Sequence, residues 1–224
     1  LLTVARGVDT AKEPLNLNDL IRDYLHSPEF KELKQFHPKV TFKTNFESDL
    51  LNISGSQIHI RKAVMNLVSN ASEAIEDSGN VTISTMNRYI DRPLRGYDEV
   101  NIGEYAVLSV SDVGSGISSD DLKRIFEPFY TKKVMGRSGT GLGLAVAWNV
   151  VQDHGGYIDV RSSKDGTTFD LFFPITRSDI SKKEISIDYS ELKGNGETIL
   201  VIDDEEHQRD ICCKIAESFG YKSK

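Results

Sequence analysis

The chain has 224 residues, enough for one well-cored domain and a smaller second piece. Hydrophobic residues make up 38% and charged residues 27%, a balance that excludes a globally disordered chain. A net charge of −7 excludes a general nucleic-acid binder, which needs a basic surface to displace counterions. A local basic cluster remains at Lys132, Lys133 and Arg137. Cys212 and Cys213 are adjacent, a poor geometry for a bridge, so neither a disulfide framework nor metal-ligand spacing is present. A reducing, cytoplasmic setting is expected. With no apolar run of membrane-crossing length and no signal-peptide pattern, any membrane attachment is expected outside this segment.

Residues Leu1 to Gly7 read as the tail of a helix, ended by Pro14. Asn16-Leu17-Asn18-Asp19 offers caps for a new helix through Leu25. Val40 to Thr44 alternates as a strand, and Ile53 opens a second short extended segment. Helical spacing runs from Ser56 to Glu76 and is closed by Ser78-Gly79-Asn80. Val81 to Met86 and Tyr105 to Val110 read as antiparallel partners, joined by a long loop carrying Pro93, Gly96 and Gly103. A glycine-punctuated stretch from Asp112 to Gly143 leads into a helix ending at His154. Strands follow at Tyr157 to Ser162 and Thr167 to Phe173, the last stopped by Pro174. The polar run from Ser178 to Gly196 reads as a linker. Beyond it come an apolar strand, Thr198 to Ile202, the acidic Asp203-Asp204-Glu205 and a helix to Phe219.

Four segments carry chemistry. On the helix from Ser56, His59, Lys62, Asn66, Asn70 and Glu73 fall at three- and four-residue steps and share a face, opposite Ile60, Val64, Leu67 and Ala71. Alone, this stripe is most simply a solvated face. Asparagine is a weak helix former, however, and its carbonyl is a hard oxygen suited to Mg²⁺. Asp112-Val113-Gly114-Ser115-Gly116-Ile117 follows a strand, where Asp is commonly a turn former. Its carboxylate can equally accept from an exocyclic amine, with Gly114 and Gly116 letting a base lie against backbone. Phe126-Glu127-Pro128-Phe129-Tyr130-Thr131-Lys132-Lys133 comes third, its phenylalanines being natural core residues. Fourth, Gly139-Thr140-Gly141-Leu142-Gly143-Leu144 opens a helix with alternate glycines, an arrangement that presents backbone N–H groups to anions. It is neither a Rossmann fingerprint, since Leu144 stands at the third glycine, nor a Walker A loop, since no Lys-Ser or Lys-Thr follows.

In this order, Asn66-Leu67-Val68-Ser69-Asn70-Ala71 and the three segments after it resemble the N, G1, F and G2 boxes of sensor histidine kinase ATP-binding domains. Those domains belong to the Bergerat superfamily, shared with heat-shock chaperone, mismatch-repair and gyrase ATPases, and the resemblance spans roughly residues 17–175. It implies an α/β two-layer sandwich in which a mixed, largely antiparallel sheet packs against about three helices. By position it implies ATP and Mg²⁺ as cofactors, with Asn70 as the metal ligand and Asn66 facing the phosphates. The adenine-reading carboxylate falls on Asp112, beside Gly114 and Gly116, with Phe129 in the F box. The family's lid lysine falls on Lys133, a catalytic residue together with Asn66, and Lys132 stands where a threonine is common. Gly139, Thr140, Gly141, Leu142 and Gly143 are implied at the triphosphate. Either Thr167 or Thr168 completes the adenine site, with Thr168 carried in the expected set. A lid is expected from Thr131 to Ser138, hinged at Gly136 and Gly139.

The loop from Asp91 to Tyr97 resembles a hairpin insertion of hybrid sensor kinases. Ile199 to Glu205 resembles the first strand and acidic Mg²⁺ pair of a response-regulator receiver domain. The expected organisation is a phosphoacceptor-helix tail over 1–15, a kinase domain over 16–176, a linker over 177–196 and a receiver start over 197–224. The last piece is expected to lack any strand to pair with. The implied activity is transfer of the ATP γ-phosphoryl to a histidine upstream, because His26, His37, His59, His154 and His207 all sit in the wrong context. The implied partners are that histidine domain, in the same protein or a homodimer mate, and a receiver. A Bergerat ATPase is the alternative, but such enzymes carry glutamate where this chain has Asn66. A nucleotide-sensing docking module without catalysis is the third reading.

Overall fold

The computed structural model describes residues 11–131, 140–180, 193–202 and 205–224. By its internal contacts the chain divides into two units, Leu1–Ser181 and Lys182–Lys224. The expected helix tail at Leu1 to Gly7 and most of the expected lid lie outside the described residues.

The first unit begins with β1 (Glu13–Leu15) and α1 (Leu17–His26). Asn16 caps α1 by accepting from the Asn18 N–H, and Leu17, Leu20, Ile21 and Tyr24 form its buried stripe. Sequence reading missed α2 (Pro28–Phe36), although Ser27 caps it and Pro28 opens it. After β2 (Val40–Asn45) and β3 (Ile53–Gly55) comes α3 (Gln57–Glu73), capped by Ser56. Its Ile60, Ala63, Val64, Leu67, Val68 and Ala71 face the core. The chain continues through β4 (Gly79–Ile90), β5 (Leu94–Arg95), β6 (Glu99–Val100) and β7 (Gly103–Asp112). The one-turn α4 (Ser119–Leu122), α5 (Gly143–Asp153), β8 (Tyr157–Ser163) and β9 (Gly166–Pro174) complete the unit.

Five strands make one sheet in the order β2-β4-β7-β9-β8. Only β2 and β4 are parallel, because the chain between them crosses over through α3, whereas hairpin-type connections make the rest antiparallel. The expected mixed, largely antiparallel sheet is therefore present. Strand alternation sends Val81, Ile83, Ala106, Leu108, Val110, Phe169, Leu171 and Phe173 toward the helices, where they share one core with α1, α3 and α5. On the opposite face a smaller cluster of Ile90, Val100, Tyr105, Val107 and Phe172 packs under the β5–β6 hairpin. A cavity of about 210 Å³ on that side is lined by Arg88, Asp159, Arg161 and Asp170 among others.

Three boundaries differ from expectation. Helix α3 stops at Glu73 rather than Glu76, and Gly79 opens a strand instead of closing the helix. Gly79 pairs with Val40 and Asn80 with Thr41, so the β2 ladder recruits residues that local propensity assigns to a cap. Pro14, read as a stop, lies in β1 opposite Ser54 of β3. The long loop between β4 and β7 is shorter than expected because the two pair residue for residue out to Ile90 and Gly103.

In the second unit, β10 (Thr198–Ile199) pairs in parallel with β11 (Lys222–Ser223), and α6 (Glu206–Ser218) connects them. The expected strand through Ile202 is thus only two residues long, and the expectation that it lacks a partner is corrected. A parallel pair needs a crossover, and α6 supplies it.

Candidate nucleotide site

Asp112 ends β7 with its side chain buried on the helix face of the sheet. Its Oδ1 accepts from the Gly114 N–H at 2.8 Å and from the Thr167 N–H at 3.3 Å. Burial pushes its carboxyl above the ordinary carboxylate range, and these two N–H donors oppose that rise. Both bonds fall on Oδ1, and Oδ2 makes no hydrogen bond among the described residues.

The glycines after Asp112 are required by their neighbours. A Cβ on Gly114 would meet the Ala74 carbonyl oxygen at 2.4 Å. The Ser115 N–H donates to that same carbonyl at 3.3 Å, hooking the loop onto the end of α3. Gly116 has a φ of +75°, and a Cβ there would fall 1.8 Å from the Ser163 carbonyl oxygen. Ser162 Oγ accepts from the Ile117 N–H at 2.8 Å and lies 2.9 Å from Thr167 Oγ1. The loop is therefore clamped between α3 and the β8–β9 hairpin.

Thr167, not Thr168, shares this face. Ser111 and Thr168 are opposed in the ladder, and their hydroxyls meet at 2.8 Å on the other side of the sheet. Thr168, carried in the expected set, therefore lies on the face opposite Asp112, because a period of two residues sends neighbours to opposite faces. Sequence reading also missed Ser162 and Gly166. The Asp165-Gly166 turn was a usable hairpin signal, and a Cβ on Gly166 would fall 2.0 Å from the Asp112 carbonyl oxygen.

On α3, Asn66 and Asn70 are half-buried one turn apart. Asn66 Nδ2 donates to the Gly143 carbonyl at 3.0 Å, tying α3 to the start of α5. Asn70 makes no side-chain hydrogen bond among the described residues. Leu142 precedes α5 without a side-chain cap, leaving the first amides of that helix to an outside acceptor. A Cβ on Gly141, whose φ is +68°, would lie 2.5 Å from the Phe129 carbonyl carbon. The Phe129 N–H donates to the Gly141 carbonyl at 2.9 Å, so the F and G2 segments meet backbone to backbone. Phe129 itself has a φ of 67° and is 63% exposed, whereas Phe126 packs at 4.8 Å against Trp148. Thr140 is exposed beside Gly141. Lys132, Lys133 and Gly139 lie outside the described residues.

These residues fit a nucleotide. A buried carboxylate stands beside a glycine loop, and a helix N-terminus without a side-chain cap is tied to the half-buried Asn66. The family profile described as Histidine kinase-, DNA gyrase B-, and HSP90-like ATPase matches residues 55–177, and the chain belongs to that family. Within it, the chain carries the ATP-binding catalytic domain of the histidine kinase branch. It is 29% identical over 230 residues to the sensor kinase CckA of Brucella abortus (strain 2308), covering 99% of this chain and 24% of that protein. It is 34% identical over 177 residues to sporulation kinase A of Bacillus subtilis (strain 168), covering 78% of this chain and 26% of that one. The chain thus spans about a quarter of the length of these relatives. The solved catalytic domain of the histidine kinase ThkA superposes with a TM-score of 0.59 at 27% identity, over 74% of this chain and 96% of that domain. ThkA has also been solved in complex with the response regulator protein TrrA.

Proposed function

We propose that this chain is the catalytic part of a hybrid sensor histidine kinase, passing the γ-phosphoryl of ATP to a histidine on a separate helical domain. That domain belongs to the same protein or to its homodimer mate, and the setting is cytoplasmic. No helix among the described residues is long and apolar enough to cross a membrane. The observation that carries the reading is Asn66, an amide held by its 3.0 Å bond to Gly143 in the position where a hydrolytic relative needs a base. Such a site binds and orients a nucleotide without activating water, which favours transfer to a protein acceptor over hydrolysis.

In this reading Asp112 and Thr167 select the adenine, and Gly114 and Gly116 admit it. Asn70 supplies a side-chain oxygen to Mg²⁺, which takes its remaining ligands from phosphate and water. Gly141, Gly143 and the first turn of α5 receive the phosphates, Asn66 faces them, and Lys133 and Lys132 are assigned to balance their charge. Bound ATP–Mg²⁺ supplies the phosphoryl group with its charge partly neutralised, so the protein contributes mainly positioning.

The second unit is assigned as the beginning of a receiver domain, with Asp203 and Asp204 as its acidic pair, both outside the described residues. Its parallel β10–α6–β11 arrangement suits a doubly wound fold, and the alignment with CckA runs through it. The pairing of ThkA with a response regulator supports a receiver as the onward acceptor.

Incubating the chain with Mg²⁺, labelled ATP and a purified histidine-bearing domain tests the assignment. Label is expected on the histidine domain, with little on the chain alone, and Asn70→Ala is expected to abolish the transfer. Sustained hydrolysis without an acceptor, insensitive to the histidine domain, would move the chain to the ATPase class.

A further inference from the structure

The β5–β6 hairpin has no part in the nucleotide reading, yet its contacts lead to the site. We propose that this insertion sets the position of the Phe126–Phe129 segment, with Tyr97 as a positioning residue for phosphate binding. The proposal rests on the nucleotide site described above.

The insertion is anchored on β8, the edge strand of the sheet. The Asp98 N–H donates to the Ile158 carbonyl at 3.2 Å, and its carboxylate accepts from the Ile158 N–H at 3.1 Å and Gln152 Nε2 at 3.3 Å. Tyr97 donates its N–H to Asp159 Oδ1 at 3.0 Å. Asp98 thereby occupies hydrogen-bonding groups that an edge strand otherwise leaves open. The approach requires glycine next door, since a Cβ on Gly96 would fall 2.1 Å from Asp159 Oδ1.

Held this way, the Tyr97 ring meets Phe126 edge-to-face at 4.9 Å and Trp148 at 5.8 Å. Phe126 also stacks obliquely on Trp148 at 4.8 Å and meets Phe169 at 6.4 Å. It is walled by the insertion, by α5 and by the sheet, and Tyr97 is the wall contributed by the insertion. From Phe126 the chain is stiffened by local bonds: Glu127 N–H to the Arg124 carbonyl at 2.9 Å, and Tyr130 N–H to the Glu127 carbonyl at 3.2 Å. Phe129 then donates to Gly141, two residues before α5 begins. A shift of Phe126 therefore reaches the amides assigned to the phosphates through a few bonded steps. The adenine end is held by other bonds, from the Thr167 N–H to Asp112, from the Ser115 N–H to the Ala74 carbonyl and from the Ile117 N–H to Ser162 Oγ.

The test compares the whole chain with Tyr97→Phe and Tyr97→Ala, titrated calorimetrically with Mg²⁺–ADP and with adenosine. The Tyr97 hydroxyl makes no hydrogen bond among the described residues, so the Phe variant is expected to match the unaltered chain. The Ala variant is expected to lose about tenfold in ADP affinity, the order given by losing two edge-to-face pairs, and to keep its adenosine affinity. Trp148 is the single tryptophan, so a change in its emission on ADP binding is expected and should be lost in the Ala variant. Where Ala prevents folding, Tyr97→Leu keeps apolar bulk and should show a smaller loss of the same kind. Unaltered ADP affinity in a folded Ala or Leu variant overturns the proposal, as does an equal loss of ADP and adenosine. If the unaltered chain binds neither ligand, the nucleotide reading itself fails and the proposal falls with it.

Discussion

Replacing Asp112 by Asn keeps the shape of the side chain and reverses what one of its ends offers a nucleotide. Oδ1 can still accept from Gly114 and Thr167, at 2.8 and 3.3 Å in the unaltered chain, so the loop keeps its anchors. In the proposed site the other end becomes an N–H₂ group facing the adenine amine, so that donor faces donor. Losing one charge-assisted hydrogen bond costs roughly 1.5–3 kcal/mol, a fall in affinity of about ten- to hundredfold. Folding moves the other way. Burial raises the Asp112 carboxyl above its ordinary 3.8, so its contribution to stability is fully present below that value and is lost as pH rises through the raised one. The amide carries no such loss, so at pH 7 the variant should melt no lower than the unaltered chain, with the difference closing in acid. Calorimetric titration with Mg²⁺–ADP and Mg²⁺–GDP, beside thermal melts at pH 4 and 7, separates the two effects. Unchanged ADP affinity in a folded variant, or equal affinity of the unaltered chain for ADP and GDP, would refute Asp112 as the reader of the base.

Gly116→Ala places a Cβ 1.8 Å from the Ser163 carbonyl oxygen at a φ of +75°. Strain of roughly 1–3 kcal/mol before the clash is counted should lower Tm by about 2–12 °C, and an unchanged melt would contradict the packing described. His154 predicts a pH dependence. Its Nε2 accepts from the Ser56 N–H at 2.9 Å and its Nδ1–H donates to the Val150 carbonyl at 2.6 Å, an arrangement only the neutral ring can make. Burial lowers its pKa from 6.5, so the stability it contributes is present above that value and is lost as pH falls through the lowered one. His154→Gln should flatten the decline in Tm between pH 7.5 and 5, and parallel declines in both proteins would remove His154 from the account.

Much of this protein is legible because its signals are local. Asn16 and Ser56 announce helices through a side-chain oxygen within three residues of the amide it caps, and alternation marks β4. Gly114, Gly116 and Gly141 were legible as special positions for the same reason, and a side chain at each would strike the chain's own Ala74, Ser163 or Phe129. Even α2, which was missed, was written locally in Ser27-Pro28. Other features depend on partners far along the chain, and tertiary structure alone decided them. Gly79 became a strand because Val40 lies opposite it, and Pro14 because Ser54 does. Thr167 and Thr168 are indistinguishable by composition, and only the register that opposes Ser111 to Thr168 puts Thr167 beside Asp112. The partner of β10 is Lys222–Ser223, two polar residues with no alternation to advertise a strand. Caps and periodicity are properties of consecutive residues, whereas register is a property of two segments whose separation along the chain carries no pattern of its own.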